Sequence, residues 1–373
     1  MAIEIKEVCG RKNIKKFVVF PFSLYKGNRY WVPPLIFDEV NALDPKKNPA
    51  YEFCEAKLWM AYKDGKAVGR VAGIINHKAN QIWNEQNARF GWLDFIDDYE
   101  VSSALFAQVE NWAKSKGMRA VQGPLGFSDM DKEGMLIEGF EELGTIATYY
   151  NHPYYPLHTE NAGYQKDADW LEYELDAQVS IPEKFIKVAQ IVQERYKLRI
   201  LQFKKKKELL NYAHQIFEVL NDAFRPLYGF VPLTDAQIEY YTKMYFSFIV
   251  LDFVSVVVDE NDKVVAFGIT MPSLSKSVQK AKGKLFPLGF IHILQAMKKN
   301  DTVDFYLTAV RPNLQGKGVN SLLFIDLIPK YQKFGIKKAE SNVELENNVM
   351  VRRQWDMFPK RQHKRRRAYI KHI

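Results

Sequence analysis

The chain has 373 residues, 47% hydrophobic and 26% charged, an ordinary globular balance with enough length for two cores. Two cysteines, Cys9 and Cys54, cannot build a disulfide framework, and no Cys/His group has metal-ligand spacing, so neither a disulfide-stapled nor a metal-built fold is expected. The net charge of +9 sits in two windows without acids: 274–300 holds six lysines and 359–373 holds seven Lys/Arg, so the rest of the chain sums to −4, which argues against a general nucleic-acid-binding surface.

No apolar run reaches the roughly 18 residues of a membrane span. The start MAIEIKEV lacks the basic-then-apolar order of a signal peptide, so a cytoplasmic protein is expected. In chain order, GKAVGRVAGII (65–75) reads as a turn and a strand, and FGWLDFI (90–96) as a second strand. VSSALFAQVENWAKSKG (101–117) reads as a helix, closed by Gly117 and followed by a strand ending QG. GPLGFSDMDKEGMLIEGF (123–140) reads as an ordered insertion. A closing strand over 164–175 and a linker over 176–182 follow. A helix over 183–199 opens the second half, and TDAQ (234–237) is a capping box before an aromatic run over 240–248. NDKVVAFGIT (261–270) repeats the turn and strand, DTVDFYLTAV (301–310) is a long strand, and YQKFGIKKAESN (331–342) repeats the helix end, glycine and strand.

These landmarks align between the halves. Lys66 matches Lys263 at an offset of 197, Gly117 matches Gly335 at 218, and Asn151 matches Asn348 at 197 again. That is the pattern of two copies of one α/β unit with a mixed sheet, each with an insertion in a different loop. The expected domains are 1–176 and 177–373.

In the second half, the strand ending Val310-Arg311-Pro312 runs into Gln315-Gly316-Lys317-Gly318-Val319-Asn320 and then a helix. This resembles the signature loop, Arg/Gln-x-x-Gly-x-Gly/Ala, of the GNAT superfamily of CoA-dependent acyltransferases. WVPPL (31–35), QGPLGFS (122–128) and ENAGYQKDADW (160–170) make the whole chain similar to an uncharacterised tandem group within it. The resemblance implies two GNAT-like domains, an acyl-CoA (by default acetyl-CoA) as co-substrate, and an amine acceptor, small molecule or peptide. It implies cofactor contacts from Leu307, Ala309 and Val310 on the strand and from Gln315, Gly316, Lys317, Gly318, Val319 and Asn320 in the loop. A glycine loop at a helix start points backbone N–H groups and the positive end of the helix dipole at one spot, as a pyrophosphate requires. Asn320 stands where the family has a small residue. The first half has Asp97, Asp98 and Glu100 in place of the loop, three acids and no glycine; they would repel a pyrophosphate and read as helix caps, so that copy is degenerate.

Acyl transfer to an amine needs a base and donors for the developing charge. On the strand, Asp304 is the first candidate base and Tyr306 lies on the same face by alternation. The competing reading makes Asp304 a solvent-facing strand acid. Asn348 would hold the cofactor arm or a water, or else cap a helix. The family's acidic tyrosine falls at Trp355, which cannot protonate a thiolate; Tyr228 or water would take over. The insertion 274–300 joins lysines to an apolar stretch over 285–297, suited to a membrane surface, an acidic carrier protein, or a plain helical hairpin with His292 packed inside. The tail KRQHKRRRAYIKHI reads as a last strand with a charged edge. Two rivals remain: transfer from acyl carrier protein or aminoacyl-tRNA, and a non-catalytic protein that kept the fold.

Overall fold

A computed structural model describes residues 3–373. The first half runs β1 (Glu4–Glu7), α1 (Arg11–Leu24), α2 (Ile36–Ala42), β2 (Cys54–Lys63), β3 (Lys66–Asn76), α3 (His77–Trp83), β4 (Asn87–Phe95), α4 (Tyr99–Ser115), β5 (Ala120–Gly123), β6 (Met135–Glu138), α5 (Tyr154–Asn161) and β7 (Gln165–Asp176). The second runs α6 (Glu183–Arg195), β8 (Arg199–Leu201), α7 (Lys206–Leu210), α8 (Ala213–Phe224), α9 (Asp235–Tyr245), β9 (Val254–Val258), β10 (Val264–Pro272), α10 (Ser275–Ala281), α11 (Gly289–Lys298), β11 (Thr302–Val310), α12 (Asn320–Phe334), β12 (Lys338–Glu340), β13 (Glu344–Leu345), α13 (Val349–Gln354) and β14 (Lys360–His372). The helix expected over 183–199 thus stops at Arg195, and Arg199 opens a strand.

Two compact units form, and they are not the two halves of the sequence. Unit 1 is 1–171 with 275–292 and 363–373; unit 2 is 172–274 with 293–362. Unit 1 orders its strands β1-β2-β3-β4-β5, antiparallel until β4 and β5, which run parallel. Unit 2 orders its own β8-β9-β10-β11-β12, with β11 and β12 the parallel pair. A parallel pair needs a crossover, and α4 and α12 supply it. Each crossover is followed by a glycine in the left-handed region, Gly117 at φ 75° and Gly335 at φ 89°. The duplication read from the offsets is therefore present in the strand order.

Alternation explains the cores. α4 buries Val101, Leu105, Phe106, Val109 and Trp112 on β3 and β4 against Val71, Phe90 and Phe95, each side chain contributing about 1.5–3 kcal/mol. In unit 2, Val319 just before α12 and Leu322 and Leu323 within it lie against Val257, Val265 and Ala266 of the sheet and Ala189 and Val192 of α6. The expected caps are present: Asp98 accepts from Glu100 N at 2.9 Å, and Thr234 and Gln237 close a capping box on α9.

The tail is not a charged edge. β14 lies between β5 and β7, and Arg366 is 0% exposed, its guanidinium donating to Tyr149 O. Arg367 Nε donates to Asp169 Oδ1 at 2.8 Å, Arg365 Nη1 to Asp169 Oδ2 at 3.2 Å, and Lys371 Nζ to Glu110 at 2.8 Å. Acids distant in sequence thus pair with three of the cations, which a composition window cannot register.

Candidate active site

The open end of β11 is the centre of unit 2. β11 pairs with β12 only over Thr302–Asp304, opposite Lys338–Glu340, and then the two strands part. On its other side β11 stays paired with β10 to Val310, with one irregularity: Leu307 faces Ile269 and Phe305 faces Thr270, so Tyr306 is the extra residue of a bulge. The bulge breaks the alternation that placed Asp304 and Tyr306 on one face. Leu307, Ala309 and Val310 lie on the stretch beyond it, where the β12 side of the strand carries no ladder.

The chain then turns through Pro312–Leu314 into the glycine loop. Gly316 and Gly318 adopt φ 72° and 86°, the left-handed region that favours glycine. Gly316 is open, with nothing within 4 Å of an added Cβ, whereas one at Gly318 would sit 2.5 Å from Val188 Cγ1 of α6. So Gly318 lets loop and helix pack closely, and Gly316 supplies the turn. The N–H groups of Gly316, Gly318 and Val319 donate to no backbone carbonyl among the described residues, and α12 starts without a side-chain cap. A 15-residue helix therefore presents uncapped donors at its positive end. Lys317 Nζ stands 5.6 Å from the centre of the Tyr196 ring, and Gln315 Nε2 donates to Val310 O at 3.0 Å. Asn320 is the first, half-buried residue of α12.

Four side chains lie on β11 or on the segment that follows β12. Asp304 is 1% exposed, which removes the reading of a solvent-facing acid. The Tyr306 hydroxyl is buried and makes no hydrogen bond among the described residues; burial, then Asp304 and Tyr245, push its pKa well above the ordinary value. Asn342 Nδ2 donates to Phe305 O at 2.7 Å, pinning the strand that leaves. Glu344, in β13, is the group the sequence reading missed. Its Oε1 accepts from Trp355 Nε1 at 2.5 Å, its Oε2 is buried with no hydrogen-bond partner among the described residues, and desolvation raises its pKa to about 8. Trp355 also stacks edge-on against Phe305, ring centres 5.4 Å apart, which ties Glu344 to β11. The only sequence signal was Trp355 itself, a polar-edged ring where a tyrosine was expected. Asn348 accepts from Val351 N at 3.4 Å and caps α13, and Tyr228 lies in the loop between α8 and α9.

The corresponding position in unit 1 is filled by its own side chains. β4 also bulges, near Trp92 at φ 46°, and parts from β5 after Arg89. Here Leu125 N donates to Phe90 O at 2.9 Å, Phe95 N to Tyr155 Oη at 3.0 Å, and Tyr154 Oη to Phe95 O at 2.6 Å. Beneath them Arg70 Nε and Tyr25 Oη both donate to buried Asp94, at 2.8 Å each. The cavity left between Leu93, Tyr149, Asn151 and Tyr155 holds about one water molecule. Asp98 caps α4 and bonds Lys63 at 2.7 Å instead of leaving donors for an anion. The 123–140 insertion packs into the same unit, with Asp131 Oδ2 accepting from Phe127 N at 2.9 Å and Arg89 Nη1 donating to Gly126 O at 3.1 Å.

No protein-family profile matches the chain. It is 27% identical over 376 aligned residues to Protein YghO of Escherichia coli (strain K12), covering 99% of this chain and 95% of that protein. It is 28% identical over 293 residues to a bacterial ceramide synthase of Caulobacter vibrioides (strain NA1000 / CB15N), covering 76% and 74%. Among solved structures it resembles a tandem GNAT protein from the clavulanic acid biosynthesis pathway, with a TM-score of 0.55, 11% identity, and coverage of 99% and 98%. It also resembles a GCN5-related N-acetyltransferase from Sphaerobacter thermophilus, with a TM-score of 0.51, 13% identity, and coverage of 99% and 95%. At these identities the likeness establishes the fold alone, and the two-copy α/β arrangement expected from the repeated landmarks is the one observed.

Proposed function

From the premise that this chain carries the GNAT fold twice, we propose that its second half transfers an acyl group from an acyl-CoA to an amine, and that its first half is a support without a cofactor site. One observation carries this reading. The same fold position is open in one half, with a glycine loop and uncapped donors, and filled by tyrosines in the other.

In the proposed reaction the pyrophosphate lies on the N–H groups of the 315–320 loop, and the thioester lies along the unladdered edge of β11. The neutral amine attacks the thioester carbon; the C–N bond forms and the C–S bond breaks. The amine proton passes to Glu344, and the thiolate leaves toward the buried Tyr306 hydroxyl, which can donate to it. Glu344 with a pKa near 8 is a base matched to such work only once it has lost its own proton, so turnover should rise through that range.

The relative named as a ceramide synthase supports a finer version. A ceramide is the amide of a fatty acid and a long-chain amino alcohol, so the donor here would be a long-chain acyl-CoA and the acceptor a long-chain amine, in place of the acetyl default. Six lysines over 274–300 favour a second reading, in which an acidic carrier protein brings the acyl chain. The test measures thiol release from acetyl-, octanoyl- and palmitoyl-CoA, and from palmitoyl carrier protein, with a long-chain amino alcohol as acceptor. Release with palmitoyl-CoA above acetyl-CoA supports the finer version. Release only from the carrier protein supports the second reading. No release with any donor, and no thermal shift with CoA, overturns acyl transfer.

A further inference from the structure

The insertion that precedes β11 is rigid at its base and apolar at its tip. Gln279 Nε2 donates to Trp31 O at 2.8 Å and to Arg29 O at 3.0 Å, and Ile36 N donates to Gly283 O at 3.0 Å. Gly283, at φ 66°, lies so close that an added Cβ would be 2.4 Å from Pro34 O. The WVPPL segment therefore clamps α10 and its turn. Beyond the clamp the burial reverses: Phe286 is 77% exposed, Leu288 64%, Phe290 40% and Ile291 39%. Leu294, one turn along α11 from Phe290, is 49% exposed, and Phe37, next to Ile36, is 64% exposed. Large apolar side chains so grouped are not how a solvated hairpin ends.

The charge around this tip is of one sign. Lys276, Lys280, Lys282 and Lys284 are exposed, the window 274–300 contains no acid, and none of its lysines forms an ion pair among the described residues. In the other basic window, Arg365 and Arg367 share Asp169, and Lys371 pairs with Glu110. Apolar rings with lysines behind them match a bilayer interface: the rings enter the acyl boundary and the lysines meet anionic headgroups. A bilayer supplies an apolar layer and anionic headgroups together, whereas an acidic protein partner would also need an apolar pocket for Phe286 and Leu288. We infer that residues 284–294, held by the clamp on 31–36, dock this protein on an anionic membrane surface.

The experiment needs no acyl donor or acceptor, so its outcome is independent of the proposed chemistry. The full chain is sedimented with vesicles of phosphatidylcholine alone and of phosphatidylcholine mixed equally with phosphatidylglycerol, at low and high salt. The wild type should bind the mixed vesicles, and salt should weaken the binding. Two double variants at exposed positions, Phe286→Ser with Leu288→Ser and Lys280→Glu with Lys284→Glu, should each lower the vesicle partition coefficient at least about tenfold. Their thermal transitions should match the wild type. Failure to bind mixed vesicles overturns the inference. So does binding that neither variant changes, or an apolar tip that instead drives concentration-dependent dimers lost in Phe286→Ser with Leu288→Ser.

Discussion

Replacing Glu344 with glutamine separates its titration from its packing. Burial raises its pKa from the ordinary 4.5 to about 8, while the Trp355 hydrogen bond, Lys360 and Arg352 pull the other way. The folded chain therefore holds a proton on Glu344 that the unfolded chain has released. Between pH 4.5 and 8 the native state binds more protons, so stability falls as pH rises, by about 1.4 kcal/mol per pH unit. Over that window the carboxyl costs about 4–5 kcal/mol that the amide does not. Glutamine keeps the oxygen that accepts from Trp355 and never ionises. Urea unfolding of both proteins at pH 5, 7 and 9 should give near-equal stability at pH 5 and a variant more stable by several kcal/mol at pH 9. Taking the difference cancels other carboxyls that titrate in this range, such as Asp38 at about 6. The same variant should lose at least about a hundredfold in turnover if Glu344 is the base. A stability difference that does not change with pH would refute the electrostatic account, and full turnover would refute the catalytic one.

Gly316→Ala should cost only about 1 kcal/mol of stability, from its positive φ in open space, yet weaken CoA binding at least tenfold by calorimetry, about 1.4 kcal/mol. Gly318→Val should instead cost at least about 2–3 kcal/mol of stability by overpacking against Val188, seen as a lower thermal midpoint with or without CoA. Asn348→Ala should lower stability by about 1 kcal/mol through the lost cap and leave turnover unchanged; a loss of turnover would return Asn348 to the site. Arg70→Met leaves Asp94 buried without its ion-pair partner at 2.7 Å and should cost about 3–5 kcal/mol by chemical denaturation, even though unit 1 is assigned no chemistry.

What was legible in the sequence was local. The glycine loop, the capping box at Thr234, the acids that cap α4 and the paired glycines after the crossover helices are all fixed by residues within a few positions of each other. What escaped depended on distant partners. Asp304 stood as the first candidate base with a surface acid as its rival, because alternation alone shows neither its burial nor the bulge at Tyr306 that follows it. Glu344 looked like one glutamate among several, because only the indole of Trp355 and the parting of β11 from β12 set it apart. The tail looked like an exposed basic edge, because its acids lie about 200 residues upstream, Arg365 and Asp169 being 196 positions apart.

The position of β14 has a consequence for how the protein is made. β5 is complete only when Tyr369 pairs with Gly123 and His372 with Ala120. At about 5–20 residues per second, translation from the end of β7 to the end of β14 takes roughly 10–40 s. For that time one edge of β5 in the emerging first half has no strand to receive, and an unpaired edge is a template for another chain. Until β14 has emerged, the newborn first half carries an open strand edge, the kind of surface that chaperones cover. A chain cut after 360 should accumulate as aggregate, whereas one cut within the exposed 284–288 turn and supplied as two fragments retains every strand.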